Sequence, residues 1–467
     1  MSKRTKVAAF FCVAVLALLG VFAFKSFLSV KPGQLLKKWF ERAENLPNQM
    51  MTMPDEEEKL ISAKTAEDAY LDSNQPERET KLIPGWNTIK PDEDYNVIPD
   101  RYNCGAKGEL SKIRASDVVN GVTLKESGGI NSFDFYKRNT DIAKEVFFDS
   151  YDFSDYIVTI NNADKIDREI ILVFENCEFS EFRSLTYHPK VKLVFRNCTF
   201  HSFYGSCAEF EYCKFGDWYS DGIVPFQEVT VRNCYFSNFS SWDEAGTGVH
   251  TDGTQIYGKA GMDAENIRYE HCRFEVPSIP GANAINACIM LQMEFSNGIN
   301  ISFNDCICNG GGFTIYASSK NKGFEYYENV VISNIAVGQS RKYGSIYPTV
   351  TEGVEISNIY DIDSLYVASV WKQDGMTHLS VTNDTLQERK LLVNADGENY
   401  EFTIPASRGG KTDYFDRFED YPIDLDICID ADCHCVICYD HTSGKDKQIR
   451  IATWGGDDSI LIPRDEK

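Results

Sequence analysis

The sequence is short of basic residues. Lys and Arg number 47 against 70 Asp and Glu, which leaves a net charge of -23 and a pI near 4.8. Proteins that bind nucleic acid broadly need a basic face, so this deficit argues against that class of partner. An acidic polymer would also be repelled unless a cation or a local basic patch intervened.

The cysteine content and the glycine spacing exclude a small disulfide scaffold and a collagen. Fifteen cysteines in 467 residues are well below the density of a small disulfide scaffold, and the 32 glycines show no three-residue period, which excludes collagen. Hydrophobic residues make up 43% and charged residues 25%, so the chain is not wholly disordered. Its length leaves room for two or three domains.

One long apolar run is present, from Val7 to Phe24, preceded by Lys3, Arg4 and Lys6. Its 18 residues reach the lower limit for a membrane-spanning helix, and the preceding positive charge places the N-terminus in the cytoplasm. We interpret residues 1–30 as a signal anchor that leaves the bulk of a single-pass protein outside the cell membrane. A cleaved signal peptide, and hence a secreted protein, is the alternative.

Residues 31–91 differ in composition from the rest of the chain. Apolar residues recur at helical spacing and predict a juxtamembrane helix: Leu35, Leu36, Trp39, Phe40 and Ala43. Prolines and the acidic run 55–58 then predict a spacer that holds the folded part away from the membrane. An α-helical cap over residues 56–70 is the alternative for part of this segment.

A short phrase repeats through the middle of the chain. Its pattern is apolar, any, apolar, any, Asn (or Asp, His, Tyr), Cys or Ile, any, apolar, as in 173–179 (VFENCEF) and 194–200 (VFRNCTF). The Cys or Ile positions are Cys177, Cys198, Cys213, Cys234, Cys272, Cys306, Ile335 and Ile359. The steps between them are 21, 15, 21, 38, 34, 29 and 24 residues. Corners of one kind at varying intervals predict a stack of similar turns with insertions in its loops.

Each copy predicts a strand, a corner and the start of another strand. The period-two alternation before the Asn is typical of a strand with one buried face. Asn tolerates the left-handed conformation that bends a chain sharply. Strands at this spacing, with no helices between them, predict a parallel β-solenoid over residues 92–363. The cysteines would then stack inside as free thiols, with disulfides between neighbours as the alternative outside the cytoplasm.

The Asn-Cys-any-Phe corner resembles the right-handed parallel β-helix of the pectate-lyase-like superfamily. Four motifs in order, between about 91 and 363, are also similar to a subgroup of secreted bacterial β-helix proteins. They are 99–105 (PDRYNCG), 250–255 (HTDGTQ), 289–292 (IMLQ) and 310–316 (GGGFTIY). The resemblance implies the fold and an extracellular role. The signatures of pectate lyases, polygalacturonases and pectinesterases are absent from the chain, so no particular chemistry is implied.

The densest polar segment is 246–258, around His250 and Asp252. In a strand these two side chains would share one face. A shift of 31 residues aligns Asp221 with Asp252, and stacked strands lie about 4.8 Å apart, so the two carboxylates are predicted to share a proton or bind a cation. If Thr254 points inward, Gln255 projects outward. The groove is predicted to include the following further residues: Trp218, Tyr219, Tyr257, Asn286, Gln292 and Tyr316.

Two chemistries would suit this groove, and both act on polysaccharides. In a uronate lyase, His250 or Tyr257 would be the base, Asp221 and Asp252 would hold Ca²⁺, and Gln255 would bind the substrate carboxylate. In a glycosidase, Asp221 and Asp252 would be the two carboxyl groups. Two alternatives stay open: sugar binding without catalysis, and a purely structural role for His250 and Asp252.

Residues 364–467 lack the corners. Alternating runs predict six strands of a small antiparallel β-sandwich: 379–381, 390–393, 400–404, 423–429, 435–439 and 448–452. The alternating acids Asp424, Asp426, Asp430 and Asp432 are interpreted as a solvated face. The cysteines and histidine of 433–438, with Cys428 and His441 nearby, could form a zinc site, but the spacing matches no common zinc finger. Strand packing or a disulfide is therefore favoured over zinc.

The sequence therefore predicts an all-β, monomeric protein tethered to the outer cell surface, built as a solenoid followed by a sandwich. A polysaccharide is the predicted partner, and Ca²⁺ the predicted cofactor if the chain is an enzyme. The rival hypothesis is a non-catalytic binding or scaffold protein of the cell surface.

Overall fold

The computed structural model describes residues 88–89, 98–113, 118–119, 122–127, 130–134, 143–161, 163, 166–237, 239, 249–276, 287–318, 326–407, 424–444 and 446–453. The predicted signal anchor, the juxtamembrane helix and Asn286 lie outside these residues. Among the residues described, no helix is long and apolar enough to cross a membrane.

The described residues form β-strands and contain no α-helix. The first strands are β1 (Thr88–Ile89), β2 (Ser111–Lys112), β3 (Val118–Val119), β4 (Val122–Ser127), β5 (Ile130–Asp134), β6 (Glu145–Asp149), β7 (Tyr151–Asn161), β8 (Ile170–Glu175), β9 (Glu178–Ser184), β10 (Val191–Arg196), β11 (Thr199–Gly205) and β12 (Ala208–Glu211). There follow β13 (Lys214–Gly216), β14 (Ile223–Pro225), β15 (Gln227–Arg232), β16 (Tyr235–Ser237), β17 (Asp252–Ile256), β18 (Ala264–Glu270), β19 (Arg273–Val276), β20 (Ala287–Leu291), β21 (Gly298–Gly310), β22 (Phe313–Ala317), β23 (Tyr327–Val337), β24 (Gly344–Ile346) and β25 (Val354–Asp361). The last are β26 (Tyr366–Gln373), β27 (Met376–Thr382), β28 (Arg389–Ala395), β29 (Glu398–Ile404), β30 (Asp424–Ile429), β31 (Cys435–Asp440) and β32 (Lys447–Thr453).

Strands β2–β25 belong to one large sheet, called the stack below. Its pairings are parallel except for β3 with β4 and β4 with β5, which are antiparallel. Strands that are not consecutive in the chain pair side by side, for example β8 with β10 and β10 with β12. The predicted all-β class is thus confirmed, and the stack is compatible with a β-helix solenoid.

Residues that pair between neighbouring strands of the stack are separated by the same intervals as the predicted corners. Phe174 pairs with Phe195, Phe195 with Phe210 and Phe210 with Val231, at intervals of 21, 15 and 21 residues. The longer steps hold as well, and Cys306 pairs with Ile335, which pairs with Ile359. Loop length therefore varies from turn to turn while the position of the corner does not.

The residue before each register position has a positive φ, as the left-handed corner requires. The eight predicted corners have φ values between 50° and 57°: Asn176, Asn197, Tyr212, Asn233, His271, Asp305, Asn334 and Asn358. Asn is the residue type that bears this conformation at least cost. A second set of corners, which the sequence did not predict, includes Asn266, Asn300 and Asn329. Their amides form a ladder, since the Nδ2 of Asn300 donates to Asn266 at 3.0 Å and that of Asn329 to Asn300 at 2.9 Å.

Aromatic rings and thiols fill the interior of the stack. Phe179, Phe200 and Phe215 stack ring on ring at 4.9 and 5.1 Å. The six corner cysteines are 0–1% exposed, and each thiol donates to the carbonyl two residues earlier at 3.1–3.5 Å. All 14 cysteines within the described residues are free. The free-thiol prediction is therefore confirmed for them, and the disulfide alternative is wrong.

The chain after the stack forms two small sheets, which are mainly antiparallel. One has the order β1-β32-β31-β28-β29 and the other β26-β27-β30. Their inward side chains, among them Leu379, Val393 and Val436, form one buried apolar cluster. All six predicted strands are present. Strand β26 was not predicted, and β1 lies within the predicted spacer but pairs in parallel with β32.

A buried polar cluster joins the stack to the small sheets. It consists of Arg273, Glu275, Asn309, Tyr366, Asp384 and Asp424, and is called the Arg273 cluster below. The Arg273 guanidinium donates to Glu275 at 2.9 Å and to Asp424 at 2.7 Å, and all three side chains have 0% exposure. The prediction that Asp424 belongs to a solvated face is therefore wrong, since its partner comes from a strand 151 residues away.

The predicted opening motif 99–105 lies beside the Arg273 cluster. The Oδ1 of Asp100 accepts the backbone N–H groups of Tyr102 and Asn103, both at 2.8 Å, which forms a tight turn. Its other oxygen accepts a bond from the Ser369 hydroxyl. Gly105 has a φ of 84°, and a Cβ there would lie 2.7 Å from the Thr199 hydroxyl oxygen. The motif thus contacts the stack through Gly105 and the chain after the stack through Asp100.

Candidate functional site

The predicted pair His250 and Asp252 differs in burial. Strand β17 begins at Asp252, so the alternation that places side chains does not extend back to His250. His250 is exposed, whereas Asp252 is completely buried. His250 is therefore open to solvent, whereas Asp252 is closed off from it.

Asp221 and Asp252 do occupy equivalent positions in successive turns, as predicted. Ile223 pairs with Thr254, which gives the shift of 31 residues. The Oδ1 of Asp221 accepts the backbone N–H of Asp252 at 2.9 Å, and the Oδ1 of Asp252 accepts that of Ala287 at 2.8 Å. Each carboxyl group thus bonds the backbone of the next turn. This arrangement supports the structural alternative for Asp252.

Asp221 differs from Asp252 in that the residue is only partly buried. Burial raises the pKa of its carboxyl group to about 7, while the bond from the Asp252 N–H acts in the opposite direction. A carboxyl group with this pKa is partly protonated at neutral pH. It is therefore able to deliver a proton to a substrate oxygen, as a general acid does.

The predicted alternation along β17 is confirmed. Thr254 and Ile256 are fully buried, whereas Gln255 and Tyr257 point outward and are partly exposed. The Thr254 hydroxyl lies 2.7 Å from that of Tyr269, inside the stack. Gln255 is thus held on the outer surface by two buried neighbours.

The outward position of Gln255 continues through the next turns. Gln255 pairs with Met290, and Met290 pairs with Tyr316. Tyr347 follows Ile346, which pairs with Ile315 in the turn after. Gln255 and Tyr316 thus occupy equivalent positions two turns apart, with Met290 between them. We call the surface that carries Gln255, Tyr257, Tyr316 and Tyr347 the outer face.

Aromatic rings accumulate at the end of the outer face. The rings of Tyr316 and Tyr347 lie 4.2 Å apart, and Phe313 meets Tyr347 edge-on at 5.2 Å. All three side chains are partly exposed. Burial is the main cause that raises the pKa of Tyr316, so its phenol stays protonated and able to donate. Sequence reasoning did not single out Phe313 and Tyr347 as site residues, because only the pairing of β22 with β24 brings their rings together.

A second aromatic group lies nearer the middle of the outer face. The Tyr257 ring meets those of Phe226 and Phe295 at 6.2 and 6.0 Å, and Phe295 is 56% exposed. Gln292 is one turn on from Tyr257, since its N–H donates to the Ile256 carbonyl, but the residue is only 6% exposed. Gln292 is therefore a poor candidate for contact with a large ligand.

Trp218 and Tyr219 lie in the loop that leads to Asp221. Their rings stack at 4.3 Å, and Trp218 also stacks on His201 of strand β11 at 4.7 Å, with 3° between the planes. All three residues are partly exposed. Trp218, Tyr219 and His201 thus form a stack of three rings, and no motif indicated that His201 belongs to it.

No metal site of the predicted kind is found in the described part of the chain. There, no group of three or more His, Cys, Asp or Glu side chains is placed to hold an ion. Cys433 and Cys438 are buried. The Nδ1 of His434 lies 3.4 Å from the Oδ2 of Asp396.

Comparison with known proteins returned nothing similar: no family model, no curated protein and no solved structure matches the chain.

Proposed function

We propose that the chain is a right-handed parallel β-helix of the pectate-lyase-like type, followed by a β-sandwich, and that it binds a polysaccharide outside the cytoplasm. The observation that supports binding is the outer face, which carries the amide of Gln255 and the partly exposed rings of Tyr257, Tyr316 and Tyr347. Aromatic rings suit the apolar faces of sugars, and amides suit their hydroxyls. An N-terminal anchor would hold the monomer at the cell membrane, with secretion after cleavage as the alternative.

Binding is tested on a panel of acidic and neutral polysaccharides by affinity electrophoresis. Tyr316→Ala and Gln255→Ala should lower the affinity for the polysaccharide that wild type retains, because they remove a stacking ring and a hydrogen-bonding amide. Tyr187→Ala is the matched control, since Tyr187 is 37% exposed and lies in the turn after β9. Equal retention of the variants and wild type would refute binding at the outer face.

A second candidate function is hydrolysis or lysis of the bound sugar, and the pKa of Asp221 favours it. In a hydrolase Asp221 would donate the proton to the leaving oxygen. In a lyase Tyr257 or His250 would be the base, and Ca²⁺ would bridge an acidic substrate to Asp221 and Asp252. We prefer binding without turnover, because Asp252 is buried and already bonded to backbone.

Turnover is tested by following ultraviolet-absorbing unsaturated ends and reducing ends, with and without Ca²⁺. Asp221→Asn should abolish turnover yet keep binding, because the amide oxygen still accepts the Asp252 N–H but the group cannot donate the catalytic proton in the same way. Binding without new chain ends under either condition would refute the enzymatic alternative and leave the binding proposal intact.

A further inference from the structure

Three sulfur and nitrogen donors meet on the three-stranded sheet, far from the outer face along the chain. Met376 and His378 lie two residues apart on β27, so their side chains share one face. Cys428 on β30 is the direct cross-strand neighbour of His378. Met376 is therefore the diagonal neighbour of Cys428 on the same face.

The donor atoms are close together. The Cys428 Sγ lies 3.5 Å from the Met376 Sδ and 3.9 Å from the His378 Nε2. Metal–sulfur and metal–nitrogen bonds measure about 2.0–2.3 Å, so ligand atoms around one tetrahedral or trigonal ion lie roughly 3.3–4.0 Å apart. The two distances fall in this range. Cys428 is exposed, so an ion can reach the thiol from solvent.

The imidazole is held in the orientation that a ligand needs. The His378 Nδ1 lies 2.9 Å from the Asp426 Oδ1, which favours the tautomer with the proton on Nδ1. The Nε2 lone pair then points toward the thiol. On the other side Trp371 stacks on the imidazole at 5.2 Å, with 15° between the planes, and the side chain of His378 is only 12% exposed.

We propose that Cys428, Met376 and His378 form a binding site for Cu(I). The site offers no oxygen ligand of the kind that Ca²⁺ and Mg²⁺ require. Thiolate and imidazole also bind Zn²⁺, but a thioether is a soft ligand that suits Cu(I) and is not among the usual ligands of Zn²⁺. Binding replaces the Cys428 thiol proton by the metal and releases that proton to solvent. No electron transfer is involved.

The same residues also resemble a Cys-His-Asp nucleophile, but two observations favour the metal. The acids Asp426 and Asp430 lie near the exposed Cys428 thiol, and their negative charge would repel a free thiolate nucleophile. Those same negative charges attract a cation. The Met376 sulfur, moreover, has no part in acyl transfer and is a good ligand for copper.

The site is tested by anaerobic competition of the full chain with a chromogenic Cu(I) chelator. Wild type should retain one more equivalent of Cu(I) than Cys428→Ser. Met376→Leu and His378→Gln should each weaken that equivalent at least about tenfold, and Asp426→Asn should weaken it by roughly 10-fold or more through the orientation of the imidazole. Cys435→Ser, a partly exposed cysteine on the other small sheet, is the matched control and should behave as wild type.

A second readout reports the location of the ion. Ag⁺, a redox-inert substitute for Cu(I), should quench the fluorescence of Trp371, and Trp371→Phe should lose this response while it still binds the ion. The proposal is overturned if Met376→Leu and His378→Gln bind as wild type while Cys428→Ser does not, because a single thiol would then suffice. It is equally overturned if Zn²⁺ displaces Cu(I), or if Cys428→Ser loses no equivalent.

Discussion

Replacement of Arg273 by Ala tests how the stack and the small sheets hold together. The side chain is fully buried and bonds to two carboxylates with no exposure of their own, Glu275 and Asp424. The rings of Tyr235 and Tyr366 lie 5.1 and 5.2 Å from its guanidinium carbon. Truncation leaves both carboxylates buried without this cation. Breaking a buried ion pair in this way costs about 3–5 kcal/mol, a fall of roughly 10²–10³-fold or more in the folding equilibrium.

The matched control lies in a neighbouring turn. Arg232 pairs with Glu270 at 2.9 Å, but the two side chains are 45% and 40% exposed, so Arg232→Ala should cost only about 0–1 kcal/mol. Arg273→Lys should recover part of the loss, because a cation returns without the fork of the guanidinium. Arg273→Met should not, since it restores volume alone.

Denaturant unfolding followed by far-ultraviolet circular dichroism gives the free energies of unfolding. Hydrogen exchange adds the location, and in Arg273→Ala the amides of β26, β27 and β30 should exchange faster than those of β8, β10 and β12. If Arg273→Ala and Arg232→Ala destabilise the chain equally, the Arg273 cluster does not join the two parts as argued. Full recovery by Arg273→Met would show that packing, rather than charge, is what the residue supplies.

Three further predictions concern the stack. As the pH rises from 4 to 7, Asp221→Asn should gain about 1–3 kcal/mol of stability relative to wild type. The pKa of the Asp221 carboxyl group is about 7 in the folded state and 3.8 ordinarily, so wild type loses stability as this group ionises. A difference in unfolding midpoint that does not change with pH would contradict this prediction. Asn300→Ala should lower the free energy of unfolding by about 1–2 kcal/mol, and Asn300→Gly by clearly less. Both variants lose the two ladder bonds, but only Ala is also strained by a φ of 54°. Equal losses on thermal melting would show that backbone strain does not contribute. Phe200→Ala should cost about 3–5 kcal/mol, since it opens a cavity between Phe179 and Phe215; a denaturation midpoint within error of wild type would show that the ring stack can collapse around the gap.

The stack could be predicted from the sequence because its determinants are local. Each corner needs an apolar strand, a residue that bears the left-handed conformation and a small buried residue, as at Asn197 and Cys198, and all three lie within a few positions. The registers follow from these corners without any knowledge of the loops. The alternation of Thr254 and Gln255 is local in the same sense, and it too was predicted correctly.

The errors come from contacts between distant parts of the chain. Asp424 alternates with apolar residues as surface acids do, and only its bond to Arg273 shows why it is buried. Asp252 looks like a free polar group in the motif, yet its carboxyl group bonds the next turn through Ala287. Cys428 and His378 are 50 residues apart and belong to no recognisable spacing, so the cross-strand site could not be found without the sheet register.

The unequal steps of the stack have a consequence for how this protein can change. Successive turns use from 15 to 38 residues, yet the strands on either side keep their alignment. Lengthening a turn from 15 to 38 residues costs roughly 0.8 kcal/mol of chain-closure entropy. Whole peptides can therefore be added to or removed from a loop with little effect on the neighbouring turns. Each loop of the stack can thereby acquire a new recognition segment by insertion, independently of the other loops.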